Sequence, residues 1–185
     1  GQAEVTADLD VIEHAGRIIL PGVGAFPVAA EHLEASGIAT ALVAAAGKGV
    51  PILGICLGMQ LLFERGNEFG WSDGLGLIHG DVLPVFDGDE TKELRGTHIG
   101  WRSLSFPPST HAHPLFKGIA GDAYFYFVHS YSAINVREDN ILATVPYGAK
   151  NLIAAASENS VMGVQFHPEK SGPSGLRVLE NFISL

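Results

Sequence analysis

The chain holds 185 residues, which at roughly 150 residues per domain argues for one domain over 1–185 with a core that stands without disulfide or metal staples. Apolar and aromatic residues make up 46% and charged residues only 17%, which excludes disordered and fibrous classes. Twenty acidic residues against eleven basic ones give a net charge of −9 without any Lys/Arg-rich run of five, so small molecules or proteins are better partners than nucleic acid.

A single cysteine, Cys56, makes no intrachain disulfide and fits no multi-cysteine zinc pattern. With no signal peptide in view, the expected setting is the reducing cytoplasm. The most apolar stretch, Ile38 to Phe63, is broken by Gly47, Lys48, Gly49 and Pro51. A bilayer span needs about 20 uninterrupted apolar residues, so this stretch is expected as buried strand and helix.

In chain order, Arg17 to Leu20 is a β-branched run that stops at Pro21-Gly22, a buried strand entering a turn. Helices are expected over Pro27 to Ser36 and Ile38 to Ala46, each stopped by a glycine. A second buried strand follows at Pro51 to Ile55, then a helix over Leu57 to Glu64. Such alternation predicts an α/β fold with a mostly parallel sheet covered on both faces. Beyond a glycine-rich stretch from Gly66 to Gly80 come short strands at Asp81 to Phe86, Ala123 to Phe127, Ser132 to Val136, Ile141 to Val145, Leu152 to Ser157 and Val161 to Phe166, many of them antiparallel. Phe106 to Pro114 reads as an exposed loop. Leu176, Leu179, Phe182 and Ile183 recur at helical spacing and predict an amphipathic helix after Gly172-Pro173.

Gly54-Ile55-Cys56-Leu57-Gly58 sets the lone cysteine between a buried strand and a helix, with glycine two residues away on either side. This is the G-x-nucleophile-x-G elbow with sulfur in place of a serine oxygen. A sharp turn presents the side chain, the helix start favours a thiolate, and the Leu57 amide faces a developing oxyanion. A cysteine in an apolar strand is otherwise often inert core; the glycine frame favours the nucleophile.

A thiol nucleophile needs a base, and His167 is the best placed of eight histidines. Pro168 biases His167 toward an extended conformation, and residues two apart on an extended segment share a side, so Glu169 can hold one imidazole nitrogen while the other faces Cys56. Pro21-Gly22-Val23-Gly24 is a glycine turn whose amides could also meet an oxyanion. In Tyr124 to Tyr131, the segment Val128-His129-Ser130-Tyr131 breaks the aromatic pattern with hydrogen-bonding groups, as a substrate-contacting loop would. His111 and His113 lack the partners of a metal site.

Together PGVGAF (21–26), GICLGMQLLF (54–63), GLGLI (74–78), HIGW (98–101), YFVHSY (126–131) and GVQFHPEKS (163–171) resemble the class I glutamine amidotransferases, and within them the glutaminase subunits of the imidazole glycerol phosphate synthases. The resemblance implies a three-layer fold with a mostly parallel central sheet flanked by helices, plus antiparallel strands. It implies Cys56 as the nucleophile on the glutamine amide, His167 as base and later acid, and Glu169 as the group orienting it. Gly22, Val23, Gly24 and Leu57 become the oxyanion region, and Gln60, Glu68, His129, Ser130 and Tyr131 the contacts to L-glutamine. Neither a cofactor nor a metal is expected.

In this family ammonia passes to a (β/α)₈-barrel cyclase subunit, which makes imidazole glycerol phosphate and AICAR in histidine biosynthesis; the resemblance implies such a heterodimer, with Trp101 and Lys170 at its interface. Two features depart from the pattern. The chain opens at Gly1 to Val5 in what reads as the family's second strand, with the first βα unit absent, and Arg102 follows Trp101 where an asparagine is usual. The alternatives are the glutaminase subunit of another class I amidotransferase, of the anthranilate synthase type, and a catalytically silent partner-binding remnant.

Overall fold

The computed structural model describes residues 3–85, 96–108 and 113–185. The regular elements run α1 (Leu9–Glu13), β1 (Ile18–Gly22), α2 (Phe26–Ala35), α3 (Ile38–Gly47), β2 (Ile52–Cys56), α4 (Leu57–Leu61), β3 (Phe63–Asn67), β4 (Trp71–Asp73), β5 (Ile78–Pro84), β6 (His98–Ser103), β7 (Tyr124–His129), β8 (Tyr131–Ile134), β9 (Ile141–Tyr147), β10 (Lys150–Glu158), β11 (Val161–Val164) and α5 (Gly172–Ile183). No described helix is long and apolar enough to cross a membrane.

The central sheet has the order β1-β2-β11-β10-β9. Its parallel character is confined to β1, β2 and β11, whereas β10 and β9 add antiparallel ladders. β2 is buried along its full length, as expected of a strand covered on both faces. Neighbouring residues divide accordingly: Leu53, Met162 and Val164 join a core with β7, α5 and the fully buried Phe125, Phe127 and Phe166. Ile52, Ile153 and Val161 join a second core beneath α1, α2 and α3. Each buried phenylalanine contributes about 1.5–3 kcal/mol. Two smaller sheets, β4-β3-β5-β8 and β6-β7, complete the described strands.

Several boundaries differ from expectation. The expected helix from Leu57 to Glu64 ends at Leu61, and Phe63 starts β3. The carbonyls of Leu61, Leu62, Phe63 and Glu64 accept instead from the amides of Leu75, Leu77, Gly76 and Gly74, so a tertiary backbone partner displaces the next helical turn. Ala3 to Asp8 forms no strand, contrary to the reading of the chain's opening, while α1 begins where Asp8 accepts from the Asp10 amide. The strand expected to Phe86 runs from Ile78 to Pro84, and Phe86 itself lies outside the described residues.

His98 to Ser103, read only as a motif, is β6, paired antiparallel with β7 from His98↔His129 to Ser103↔Tyr124. Val128 and His129 belong to that ladder rather than to a loop; the break falls at Ser130 alone, where the chain changes sheet. Phe106, expected in an exposed loop, packs against the β7 core with its ring 5.1 Å from that of Phe116, and Leu115 and Phe116 are buried in a tight turn. His111 lies outside the described residues, and His113 accepts through Nδ1 from the Leu115 amide.

Candidate active site

β1, β2 and β11 are parallel neighbours and end together: Gly22 pairs with Cys56, and Ile55 with Val164. The residues just past these ends therefore meet at one edge of the sheet, the usual location for chemistry in such folds. Cys56 takes φ 55° and ψ −112° at the junction of β2 and α4, a conformation L-residues seldom adopt outside functional turns. Glycines make the junction possible. A Cβ on Gly54 would lie 2.7 Å from the Gly58 carbonyl oxygen, one on Gly58 would overlap the Leu20 carbonyl oxygen, and one on Gly163 would press into the Met59 side chain.

Burial pushes the Cys56 thiol up, with the nearby Glu169 charge adding to the effect; hydrogen bonds from the Leu57 amide and the Gln165 side chain, and the Lys170 charge, act in the opposite direction. At the end of β11, His167 Nδ1 donates to Glu169 Oε1 at 2.8 Å, which leaves the lone pair on Nε2. The expected partnership therefore forms, although not on an extended segment. His167 is extended, but Pro168–Lys170 is a tight turn, closed by the Lys170 amide on the His167 carbonyl. Buried Ser171 donates to the same carbonyl at 2.6 Å and accepts from the Tyr126 amide at 2.9 Å, while the His167 amide donates to the Tyr126 carbonyl. β7 thus fixes the histidine's backbone.

The expected glutamine contacts separate into two groups. Gln60 is buried in α4 and donates to the Tyr131 carbonyl at 3.1 Å and to Gln165 Oε1 at 3.0 Å. His129 turns inward: Nδ1 donates to the Tyr131 carbonyl and Nε2 lies 2.8 Å from His98 Nδ1. Burial pushes both imidazoles down to about 4. The Ser130 hydroxyl lies 2.8 Å from that of Thr97. Glu68, on the turn after β3, accepts through Oε2 from the Phe26 amide at 2.6 Å and so caps the first turn of α2.

Val23 is 83% exposed and Gly24, at φ +103°, has no neighbour where a Cβ would be; the turn beyond Gly22 stands open. Trp101 lies opposite Tyr126 in the β6–β7 ladder with ring centres 5.9 Å apart, and the Tyr126 ring is 6.5 Å from that of His167. Exposed Lys170 follows on the adjacent turn. The Arg102 guanidinium folds back onto the Trp101 carbonyl. Gln165 and Ser171 were not singled out from the sequence. The signal for Gln165 was an amide inside the apolar run Val161 to Phe166.

The class-I glutamine amidotransferase family model matches residues 2–185. The imidazole glycerol phosphate synthase subunit HisH of Sulfurimonas denitrificans is 45% identical, covering 98% of this chain and 85% of that protein. Its counterpart from Ruegeria pomeroyi is 42% identical over 100% of this chain and 85% of its own length. Among solved structures, a glutamine amidotransferase superposes with a TM-score of 0.69 at 18% identity, covering 97% of this chain and 86% of that one. PurLQS from Thermotoga maritima gives 0.63 at 20% identity over 90% and 78%. These structures speak for the fold, while the family match and the curated relatives speak for descent: the chain belongs to the class I glutamine amidotransferases, among the HisH subunits of imidazole glycerol phosphate synthase.

Proposed function

We propose that the chain hydrolyses L-glutamine to glutamate and ammonia through a thioester on Cys56. The observation that carries this reading is the His167–Glu169 pair, 2.8 Å apart, one strand over from the Cys56 elbow in a parallel ladder. The Cys56 proton passes to His167 Nε2 as sulfur attacks the amide carbon, and Glu169 holds the imidazolium that results. The Leu57 amide and the Gly22–Gly24 turn receive the oxyanion. The imidazolium then protonates the leaving nitrogen, ammonia departs, and water, deprotonated by the same imidazole, cleaves the thioester to glutamate and free thiol. Gln60, Glu68, Ser130, Tyr131 and the His129 backbone hold the substrate on this reading, with Glu68 giving up its present bond to Phe26 or sharing it.

The relatives' naming as a synthase subunit supports a partner. We assign it as the barrel-shaped cyclase that consumes the ammonia, docked in a cytoplasmic heterodimer against the face carrying Trp101, Tyr126 and Lys170. Residues 1–185 then act as one glutaminase domain. The test measures glutamate release and glutamine-dependent synthesis with the cyclase present. Cys56→Ala is expected to abolish both while synthesis from ammonium salts continues. Glutaminase activity above about one thousandth of the parent rate would overturn the nucleophile assignment.

A further inference from the structure

Gln165 is fully buried, and its Nε2 lies 3.7 Å from Cys56 Sγ. The direction of that amide is dictated by what lies behind it. The Tyr131 carbonyl can only accept, so Gln60 must present its NH₂ group there; the second proton of that group then faces Gln165, which must offer its oxygen. With its oxygen so engaged, Gln165 has only N–H to direct at the sulfur. The Tyr131 carbonyl also takes the His129 Nδ1–H, which obliges His129 Nε2 to accept from His98 Nδ1. Buried His98 Nε2 then carries a lone pair with no partner among the described residues. Two donor runs converge on the Tyr131 carbonyl, one from His98 through His129 and one from Gln60, and Gln60 also sets the direction of the Gln165 amide, whose N–H faces the chain's only cysteine.

We propose that Gln165 holds the resting sulfur of Cys56 and stabilises its thiolate, with its polarity imposed by the Tyr131 carbonyl through Gln60. The proposal rests on Cys56 as the nucleophile and assigns it an N–H donor separate from the oxyanion region. The Leu57 amide serves the sulfur at rest and, on the proposed mechanism, the substrate oxygen during attack; Gln165, just past the end of β11, has no such second task. The charges acting on the sulfur are Glu169 and Lys170; His167 stands on the same segment after β11, and His129 is the titratable group on neighbouring β7 that joins the hydrogen-bond network. β1, β2, α4 and β11 carry no charged side chain.

With a single cysteine, alkylation by iodoacetamide across pH, followed by intact mass, reports on Cys56 alone. Gln165→Met keeps the bulk and removes the donor. It is expected to raise the apparent thiol pKa by about one unit, roughly tenfold less thiolate at a given pH, and to lower kcat more than it raises the KM for glutamine. Gln165→Glu offers the sulfur an acceptor and a negative charge, and should raise the pKa further. In the unaltered protein, the side-chain amide resonance of Gln165 should shift with pH along the alkylation curve, a readout that needs no variant to fold. A Gln165→Met profile that superimposes on the parent curve, or a Gln165 amide signal indifferent to thiol ionisation, would overturn the proposal. Glutaminase activity surviving in Cys56→Ala would instead remove Cys56 as nucleophile and leave the thiol titration standing.

Discussion

On the helix side of Cys56, Gly58 leaves no space for a methyl group because its Cβ would overlap the Leu20 carbonyl oxygen. On the other side Gly24 meets nothing within 4 Å and is confined only by its φ of +103°. Between them, Gly22 is close-packed: a Cβ there would come within 3.0 Å of the Gly58 nitrogen. The start of α4 is thus hemmed in by β1, β2 and β11, through Gly22, Gly54 and Gly163, whereas a side chain at Gly24 would meet no neighbour. Fixed parts set geometry and open parts can be adjusted, so the β1 turn is the expected place for any change of activity on partner binding.

The largest expected effect is chemical. Cys56→Ala should lower glutamine turnover by at least about a thousandfold, or about 4 kcal/mol of transition-state stabilisation, with the circular dichroism spectrum unchanged. His167→Ala should come close to it. Glu169→Gln should retain more activity than either, because an amide oxygen can still accept from Nδ1; equal losses in steady-state kinetics would leave no separate role for the orienting carboxylate.

The fixed side breaks next. Gly58→Ala should cost about 3 kcal/mol or more of stability in urea unfolding, since the clash is with backbone that has nowhere to go. A Gly58→Ala protein of parent stability would show that α4 shifts easily, and the contrast with Gly24 would collapse.

The fixed side also leans on the His98–His129 pair, which must stay neutral. Ordinary imidazoles protonate near 6.5, and these do so only at about 4. Between those values the unfolded chain binds protons that the folded one refuses, so stability falls as pH drops through the window and levels off below it. The loss should reach roughly 3 kcal/mol, discounting the coupling between the rings. Thermal midpoints from pH 7 to 4 should fall less steeply in His98→Phe than in the parent; parallel curves would place the acid sensitivity elsewhere, half-buried His113 being the other imidazole that desolvation pushes down.

The smallest effect belongs to the open side. Gly24→Ala should cost about 1–2 kcal/mol through its backbone conformation and no more, there being no clash. It should alter the ratio of glutaminase rates with and without the cyclase more than it alters the KM for glutamine. An unchanged ratio in a folded, complex-forming variant would move the adjustable part away from this turn.

Features carried by local chemistry were legible from sequence. The Gly-x-Cys-x-Gly frame announced its own elbow, and His167-Pro168-Glu169 announced a contact that formed even though the backbone turned instead of extending. Features imposed from a distance were not. The end of α4 is decided by amides of residues 74–77, and the inward turn of His129 by a histidine 31 positions away. Glu68 was implied as a ligand contact by the resemblance alone; its bond to the Phe26 amide, 42 residues back, had no local signal. Gln165 was hidden because an apolar run draws the eye to its periodicity and not to its one polar member.

The pairing of β2 with β11 also has a consequence for the order of assembly. Cys56 and Gln165 are 109 residues apart in sequence, so the segment bearing His167 and Glu169 leaves the ribosome well after the cysteine. A nascent chain carries its cysteine through the synthesis of those 109 residues with neither the His167–Glu169 pair nor β11 beside it. Contacts of such long range close slowly and late, so on the proposed mechanism the thiol gains its base only when β11 docks beside β2.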